Sequence, residues 1–307
     1  MTRWIERTKY WLCATVLWLA ACPAHAADDG LLWSVRDPVG TLRGYLFGTV
    51  HLCSAACYPL PPLASEAFSS SRLLVLELDP ADPSIGRQLT RAGQLREGSG
   101  SLSARLPAEK WQALVELGAG QGLRPQLLER MRPWLVSMSL MVGAAARLGY
   151  GPQWGVDLWL ADAARRAGIE LVALETVERQ SAALAGGGEA AQLAALAQTI
   201  ALLEGGELGD YLEAMLHAWR SGDGEALARL LEVGADEAAL APLLEQLLAQ
   251  RNHEMAARLA QLMARPGPVF VAVGAAHLDG PEGLAAQLER LGFGLERLRA
   301  GRRDLPH

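Results

Sequence analysis

The chain has 307 residues, of which 50% are hydrophobic, and its mean hydropathy of +0.12 is compatible with a substantial buried core. Its formal net charge is −6 and its isoelectric point is near 5.6. Because nucleic-acid binding relies on a basic surface, these values argue against a nucleic-acid partner.

Residues 1–26 have the pattern of a secretory signal peptide. A basic start precedes an apolar run over residues 10–21, which is shorter than the ~20 residues that cross a bilayer. Small residues then predict cleavage after Ala26. The preceding residues also resemble a lipobox, which would make Cys22 a lipidated N-terminus. We therefore expect an exported, periplasmic protein with one domain over residues 27–307, and a membrane anchor only if Cys22 carries lipid.

Two cysteines lie beyond this leader, Cys53 and Cys57. In an oxidising compartment, two cysteines this close in sequence form a disulfide more often than a zinc site. A turn can bring them within the roughly 4.4–6.8 Å between Cα atoms that a disulfide requires. The sequence therefore favours a disulfide, with metal ligation by the two thiols as the alternative.

Four short apolar runs predict strands that are covered on both faces, at residues 44–49, 73–78, 169–174 and 269–273. Stretches with helical spacing lie between and after them, at 108–118, 126–148, 155–167, 190–204, 210–221, 225–232, 237–262 and 282–291. This order predicts an α/β fold whose mixed sheet has parallel core strands, together with a large helical insertion.

The first and last of these strands end in the same motif, Gly-x-x-His. It joins Gly48 to His51 near the start of the chain and Gly274 to His277 near its end. The glycines would let the backbone turn sharply at the strand end. The histidines would then project beyond the sheet, as metal ligands, as bases acting on water, or as residues whose ring nitrogens pair with backbone groups.

The other two predicted strands end in acidic residues. Glu77 and Asp79 close the second strand, and Glu175 closes the third. Ligands of parallel sheets bind beyond the carboxyl ends of the strands, and neighbouring strands lie ~4.8 Å apart. These acids and the two histidines can therefore converge on one cation or one water molecule.

Together these motifs resemble the TraB/GumN family, which also includes the Wnt-inactivating Tiki proteases. The resemblance rests on the paired Gly-x-x-His motifs, on VLELD at residues 75–79, GVD at 155–157, ALETVERQ at 173–180 and RN at 251–252. It extends over about residues 32–298. It implies an α/β fold related to erythromycin-esterase-like and haem-binding ChaN-like proteins. For Tiki-type members it also implies metal-dependent hydrolysis of peptide bonds, with His51, Glu77 and His277 as the site residues.

Each candidate residue also has a structural interpretation. A salt bridge to Arg132 or Arg251 would explain a carboxylate at Glu77, within an apolar strand. Arg251 could bind a substrate carboxylate or an oxyanion, or it could pair with Glu77 or Glu175. Glu175 could act as a general base or begin a helix. Asp157 could orient a ligand, but the sequence favours a helix cap.

Two functional hypotheses follow. In the first, the protein is an exported metal-dependent hydrolase, a peptidase that holds Mn²⁺, Co²⁺ or Zn²⁺ and acts on a peptide or protein substrate. His51, Glu77 and His277 would bind the metal, while Glu77, Glu175 and Arg251 would take part in catalysis. A variant of this hypothesis activates water without a metal. In the second, the same strand ends bind a metal or a porphyrin without catalysis.

Overall fold

The computed structural model describes residues 29–232 and 237–299, without the side chains of residues 231, 232 and 237. The predicted signal peptide and the alternative lipidation of Cys22 lie outside these residues. Within the two described ranges, no helix combines the length and the apolar character that a bilayer-spanning segment needs.

A six-stranded mixed sheet forms the centre of the fold. Its strands are β1 (Leu32–Arg36), β2 (Leu42–Thr49), β3 (Leu73–Leu76), β4 (Glu170–Ala173), β5 (Val269–Gly274) and β6 (Gly294–Arg297). They lie in the order β4-β3-β5-β2-β1-β6. The strands β4, β3, β5 and β2 are mutually parallel, whereas β1 pairs antiparallel with both β2 and β6. The predicted α/β fold with parallel core strands is confirmed.

Helices surround the sheet and form most of the connections. They are α1 (Pro62–Ser69), α2 (Ile85–Ala92), α3 (Ala108–Ala119), α4 (Pro125–Leu128), α5 (Pro133–Arg147), α6 (Val156–Ala167), α7 (Val177–Leu184), α8 (Gly188–Glu204), α9 (Leu208–Ser221), α10 (Gly224–Glu232), α11 (Glu237–Leu244), α12 (Gln250–Met263) and α13 (Leu284–Arg290). A π-helical segment, Glu245–Ala249, joins α11 to α12.

Two predicted helices are divided in the structure. The stretch 126–148 forms α4 and α5, because Pro133 begins the second helix and Arg132 before it is extended, with φ −70° and ψ 152°. A residue that precedes proline is driven out of the helical region. The stretch 237–262 continues through the π-helical segment as α11 and α12.

Two large hydrophobic cores, together with a small cluster between α5 and α9, stabilise the fold within the described residues. The main core lies on the sheet, where the Phe47 and Phe270 rings are 5.7 Å apart between centroids. Trp219 of α9 packs on Phe47 and donates its indole N–H to the carbonyl of Gly48, at 2.7 Å. A second core of buried side chains from α3, α5 and α8 lies within the helical insertion. The end of β2 is thus fixed by a buried aromatic contact and a hydrogen bond.

Strand register aligns the carboxyl ends of the parallel strands on one edge of the sheet. Thr49 of β2 is opposite Gly274 of β5, and Leu76 of β3 is opposite Ala173 of β4. Pairing continues one step past the strands, where the Glu175 N–H donates to the carbonyl of Glu77 at 2.9 Å. The segments that carry the predicted site residues therefore meet at this edge.

Candidate active site

Glu77 forms the floor of the site. It directly follows β3 and is only 5% exposed. Its Oε1 accepts the backbone N–H of Gly274 at 2.8 Å, and its Oε2 accepts a hydrogen bond from the Arg251 guanidinium. Gln180 of α7 donates to the same Oε2 at 3.4 Å. A buried carboxylate needs such partners, because ionised groups are costly to remove from water.

His51 lies on the loop that follows β2. Backbone hydrogen bonds hold this loop in place both before and after His51. The N–H of Val156, at the start of α6, donates to the carbonyl of Val50 at 3.0 Å. Cys53 and Gly151 form an isolated antiparallel bridge with reciprocal hydrogen bonds of 3.3 and 2.7 Å. The position of His51 is therefore set by the segment that leads into α6.

A disulfide adjoins this loop. Cys53 and Cys57 are joined with their Cα atoms 6.3 Å apart, and both residues are fully buried. Their sulfur atoms are bonded to each other, so neither thiol is a metal ligand in this structure.

Asp157 orients the His51 ring. Its Oδ2 lies 2.7 Å from His51 Nδ1, and its Oδ1 accepts the Thr49 hydroxyl at 2.6 Å. The side chain does not cap its helix: the N-cap of α6 is Gly155. The expected helix-capping role was therefore wrong, and the alternative that Asp157 orients a ligand residue agrees with these contacts.

This contact fixes the chemistry of the imidazole. A carboxylate accepts hydrogen bonds, so Nδ1 carries the proton and Nε2 faces away from Asp157. The negative charge of Asp157 raises the pKa of His51 to about 9, against the opposing effect of desolvation. The side chain is 62% exposed, so Nε2 lies on the open side of the site.

His277 has the opposite environment. It ends the short turn Ala275–His277 after β5, and burial lowers its pKa to about 4, so the ring is neutral near pH 7. Its Nδ1 lies 2.6 Å from Asn252 Oδ1, while Asn252 Nδ2 donates to the carbonyl of Glu282. Nδ1 therefore carries the proton. The lone pair on Nε2 then faces Arg251 Nη1, at 3.1 Å.

Arg251 links the two buried acids. Its Nε donates to Glu175 Oε1 at 2.9 Å, and its Nη2 donates to Glu175 Oε2 at 2.6 Å and also to Glu77 Oε2. Its Nη1 donates to the carbonyl of Leu247 at 2.9 Å and faces His277. A guanidinium has five N–H groups, and these contacts account for all of them. Arg251 in this arrangement holds the carboxylates and has no donor left for an oxyanion.

The salt-bridge interpretation of Glu77 thus agrees with the structure for Arg251 and not for Arg132. The Arg132 Nε is 3.4 Å from the carbonyl of Gln94, in the helical insertion. The Glu175 side chain is 3% exposed and bound by Arg251, which leaves it no access to a substrate. Glu175 is therefore placed as a partner of the arginine and not as a general base.

Opposing effects set the pKa of Glu77. Burial favours the neutral acid, but the cationic forms of His277 and His51, the Arg251 charge and the Gly274 N–H lower its pKa to about 2. Because His277 is neutral above about pH 4, His51 and Arg251 supply the positive charge near neutral pH. Glu77 is therefore an ionised carboxylate at pH 7.

The three candidate ligands surround Gly274. A Cβ atom placed on this glycine would lie 3.3 Å from Glu77 Oε1, 3.3 Å from His51 Nε2 and 3.7 Å from His277 Cδ2. Because both atoms lie 3.3 Å from the same point, His51 Nε2 and Glu77 Oε1 are at most twice 3.3 Å apart, although these residues follow different strands. The juxtaposition of two distant histidines and one acid agrees with the arrangement expected from the sequence.

The two motif glycines matter because they lack a side chain, and not because their backbone turns sharply. Gly274 has φ −50°, which other residues adopt readily, and Gly48 is not among the glycines with positive φ. A Cβ on Gly48 would lie 2.8 Å from Leu278 and 3.0 Å from Leu31. The expectation of a special backbone turn was therefore wrong: a Cβ would meet close neighbours at Gly48 and a tighter than usual contact at Gly274.

The donor set can be compared with the needs of a divalent metal. Within the described residues, no group of three or more His, Cys, Asp or Glu side chains forms a ready metal site. Two donors, His51 Nε2 and Glu77 Oε1, converge at Gly274, and His277 Nε2 could join them only if Arg251 released its lone pair. Once both imidazoles are deprotonated at Nε2, as metal ligation requires, Asp157, Glu77 and Glu175 outweigh Arg251 by two negative charges. Nitrogen and carboxylate donors with this charge excess fit a divalent cation.

Asp79 lies apart from this cluster. It accepts from the N–H of Ala81 at 3.1 Å and pairs with Arg165 at 2.6 Å. It therefore belongs to a turn and a surface ion pair. Among the residues of the site, Asp157 was expected to cap its helix, and Asn252 was given no role of its own. The GVD and RN segments were the signals that marked them.

Comparison with known proteins gives distant relatives. Metalloprotease TIKI2 of Danio rerio is 27% identical over 321 aligned residues, which cover 87% of this chain and 61% of the relative. Metalloprotease TIKI1 of Homo sapiens is 27% identical over 333, covering 91% of this chain and 64% of the relative. Uncharacterized protein YbaP of Escherichia coli (strain K12) is 26% identical over 145, covering 47% of this chain and 53% of the relative. In each case the match spans less than two thirds of the relative's own length.

The chain also matches a family model over most of its length. No solved structure matches the chain significantly. The model of the TraB/PrgY/gumN family matches residues 31–297, which include every side chain of the cluster around Gly274. The chain therefore belongs to the TraB/PrgY/gumN family.

Proposed function

We propose that this protein is a metal-dependent hydrolase that cleaves peptide bonds. The observation that carries the proposal is the convergence of His51 Nε2 and Glu77 Oε1 at Gly274, at the carboxyl edge of the parallel strands. Support comes also from the two relatives whose names describe them as metalloproteases. Their distance in sequence makes peptide-bond cleavage a proposal for this chain.

His51 and Glu77 would hold the cation, with His277 as the third ligand. A bound divalent metal supplies a Lewis acid that polarises a carbonyl and lowers the pKa of a coordinated water. Asp157 holds one proton on Nδ1, so Nε2 would be the ligand atom of His51. Because the pKa of about 9 keeps the metal-free ring protonated at pH 7, a bound cation would displace the Nε2 proton. Glu77 offers an ionised carboxylate, and its low pKa makes it a better ligand than a base.

The buried partners of these residues keep them in place. Asn252 fixes the tautomer of His277, and Arg251 and the Gly274 N–H fix the two carboxylate oxygens of Glu77. Partners of this kind typically contribute 10–100-fold in metal affinity or activity. The exposed face of His51 leaves the cluster open to a peptide on one side.

Metal-supplemented proteolysis with purified protein tests the proposal. A broad peptide library would be incubated with Mn²⁺, Co²⁺ or Zn²⁺, and metal content would be measured in parallel. We expect cleavage that chelation abolishes, and its loss in His51→Ala, Glu77→Gln and His277→Ala. His253→Ala, an exposed histidine on α12, is the matched control and should keep full activity.

The outcomes separate the proposal from its alternatives. Cleavage that survives chelation and the His51→Ala substitution would contradict a metal-dependent mechanism at this site. Stoichiometric metal with an intact peptide library would contradict the hydrolase and favour a binding protein. Absence of both metal binding and cleavage in the wild-type protein would contradict both.

We also propose that the protein is exported to the periplasm. Its support is the signal-like pattern at residues 1–26 and the disulfide between Cys53 and Cys57, a bond typical of oxidising compartments. Intact-mass analysis of protein from cell fractions tests this proposal. Cleavage after Ala26 and a lipidated Cys22 give different masses, and an uncleaved cytosolic chain would contradict export.

A further inference from the structure

A concave pocket of about 380 Å³ lies within the helical insertion, apart from the cluster around Gly274. It is bounded by the loop residues 95–105 and by the first turns of α5 and α8. Its size is within the range of sites for small molecules, roughly 300–1,000 Å³.

The charge of this pocket is opposite to that of the chain. Arg96, Arg105 and Arg132 line it against a single acid, Glu189, whereas the whole chain carries a net charge of −6. Arg105 donates to Glu189 at 3.2 Å. The Arg96 guanidinium has no ion pair or hydrogen bond within the described residues, and that of Arg132 contacts only the Gln94 carbonyl there, at 3.4 Å. Two arginines are thus available to a ligand.

Two helix N-termini add to the positive potential. Helix α5 has 15 residues and α8 has 17, and neither N-cap residue, Arg132 or Gly187, donates or accepts a side-chain capping bond. The first N–H groups of a helix lack partners within it and carry partial positive charge, so they attract anions. Both helices begin at the pocket wall, and the first backbone N–H of α5 is that of Trp134, because Pro133 has none.

The remaining wall also favours an acceptor ligand. Gln192 donates its amide to the carbonyls of Leu184 and Gly186, at 2.7 and 2.8 Å, and so covers oxygens that would repel an anion. Trp134 is 7% exposed, and its buried indole N–H has no acceptor within the described residues. The charged side chains of the pocket are thus three arginines and one acid, and Gln192 covers two carbonyl oxygens beside it.

We propose that this pocket binds the phosphate or carboxylate group of a small anionic ligand. Arginine suits either group, because its planar guanidinium forms paired hydrogen bonds to two oxygens. The proposal does not depend on the hydrolase. Helix α7, whose eight residues span about 12 Å, separates the pocket from Glu77. Gln180 within this helix contacts Glu77, whereas Ala185, just beyond the helix end, lines the pocket.

Calorimetric titration of the full chain tests the proposal, with inorganic phosphate and succinate as probes at constant ionic strength. We expect at least one probe to bind, and its affinity to fall at least tenfold in Arg132→Gln and in Arg96→Gln, since bonds to charged groups are the strong ones. Glu189→Gln should bind more tightly, because it removes the acid and releases Nη1 of Arg105, whose Nη2 still donates to the Ser99 carbonyl. Arg265→Gln, an exposed arginine outside the pocket, should bind as the wild type does.

These variants separate ligand binding from folding. Arg96 makes no side-chain bond in the described structure, so Arg96→Gln should keep the wild-type melting temperature. Absence of binding for both probes would overturn the proposal. So would equal binding by Arg96→Gln and Arg265→Gln, or weaker binding by Glu189→Gln. The tighter of the two probes identifies the ligand group as phosphate or carboxylate.

Discussion

Arg251 and Glu77 form a buried ion pair at the floor of the site, with each side chain only 6% exposed. The same guanidinium binds Glu175, whose side chain is 3% exposed. One cation therefore compensates two buried carboxylates, and it does so from a helix that also carries Asn252. The arrangement makes Arg251 the most sensitive of these residues to substitution.

Arg251→Met should lower the free energy of unfolding by about 3–5 kcal/mol, because it leaves two buried carboxylates without their counter-charge. Urea denaturation at pH 7 measures this change. Arg258→Met, on the exposed face of the same helix, is the control and should change stability by less than about 0.5 kcal/mol. Equal effects of the two substitutions would show that the ion cluster does not stabilise the fold.

Asp157→Asn should leave the fold intact but impair the site. The substitution removes the charge that holds the proton on His51 Nδ1, so metal affinity or turnover should fall by about 10–100-fold. Calorimetric metal titration measures the effect whether or not a substrate is known. Asp162→Asn, on the same helix and exposed, should bind metal normally. A normal metal affinity in Asp157→Asn would exclude an orienting role.

Gly274→Ala should exclude ligands from the site. The new methyl group would lie 3.3 Å from both His51 Nε2 and Glu77 Oε1, in the space that a shared cation or water would need. We expect metal binding to be lost while far-ultraviolet circular dichroism stays native. Gly294→Ala is the control, since a Cβ there meets no atom within 4 Å and the residue has no positive φ. Wild-type metal affinity in Gly274→Ala would place the binding site elsewhere.

The sequence predicted the four parallel strands of the sheet better than the two antiparallel ones. The runs that became β2, β3 and β5 are strongly apolar because these strands are largely buried, so composition alone marks them. The run that became β4 was also found, although the expectation that both its faces are covered was wrong: β4 lies at the edge of the sheet, and its residues are exposed or half-buried. By contrast, β1 (LWSVR) includes polar residues, and β6 alternates between exposed and half-buried residues. Its pattern is too brief to distinguish it from a loop. Both strands acquire their structure from antiparallel pairing, β1 between β2 and β6 and β6 at the edge of the sheet, and sequence periodicity does not record such pairing.

The site residues at strand ends were also predicted from the sequence, whereas their partners from distant segments were not. Motifs at strand ends identified His51, Glu77 and His277, because strand termini meet whenever the strands are parallel and adjacent. The partners come from segments distant in sequence: Asp157 belongs to α6 and Asn252 to α12. Whether an acid caps its own helix or reaches a histidine depends on how two loops pack. Nothing in the local pattern distinguishes these two roles.

The raised pKa of His51 predicts a specific dependence of stability on pH. The folded-state pKa of about 9 exceeds the ordinary value of 6.5, because Asp157 favours the protonated ring. The pairing therefore contributes its full stability below about pH 6.5 and loses it as pH rises through about 9. With a chelator present, the melting temperature of the wild type should exceed that of His51→Gln near pH 6, and this advantage should disappear by about pH 10. In Asp157→Asn the His51 pKa, followed by NMR, should return toward 6.5. An advantage over His51→Gln that is constant across this range would mean that Asp157 does not hold His51 in its protonated form.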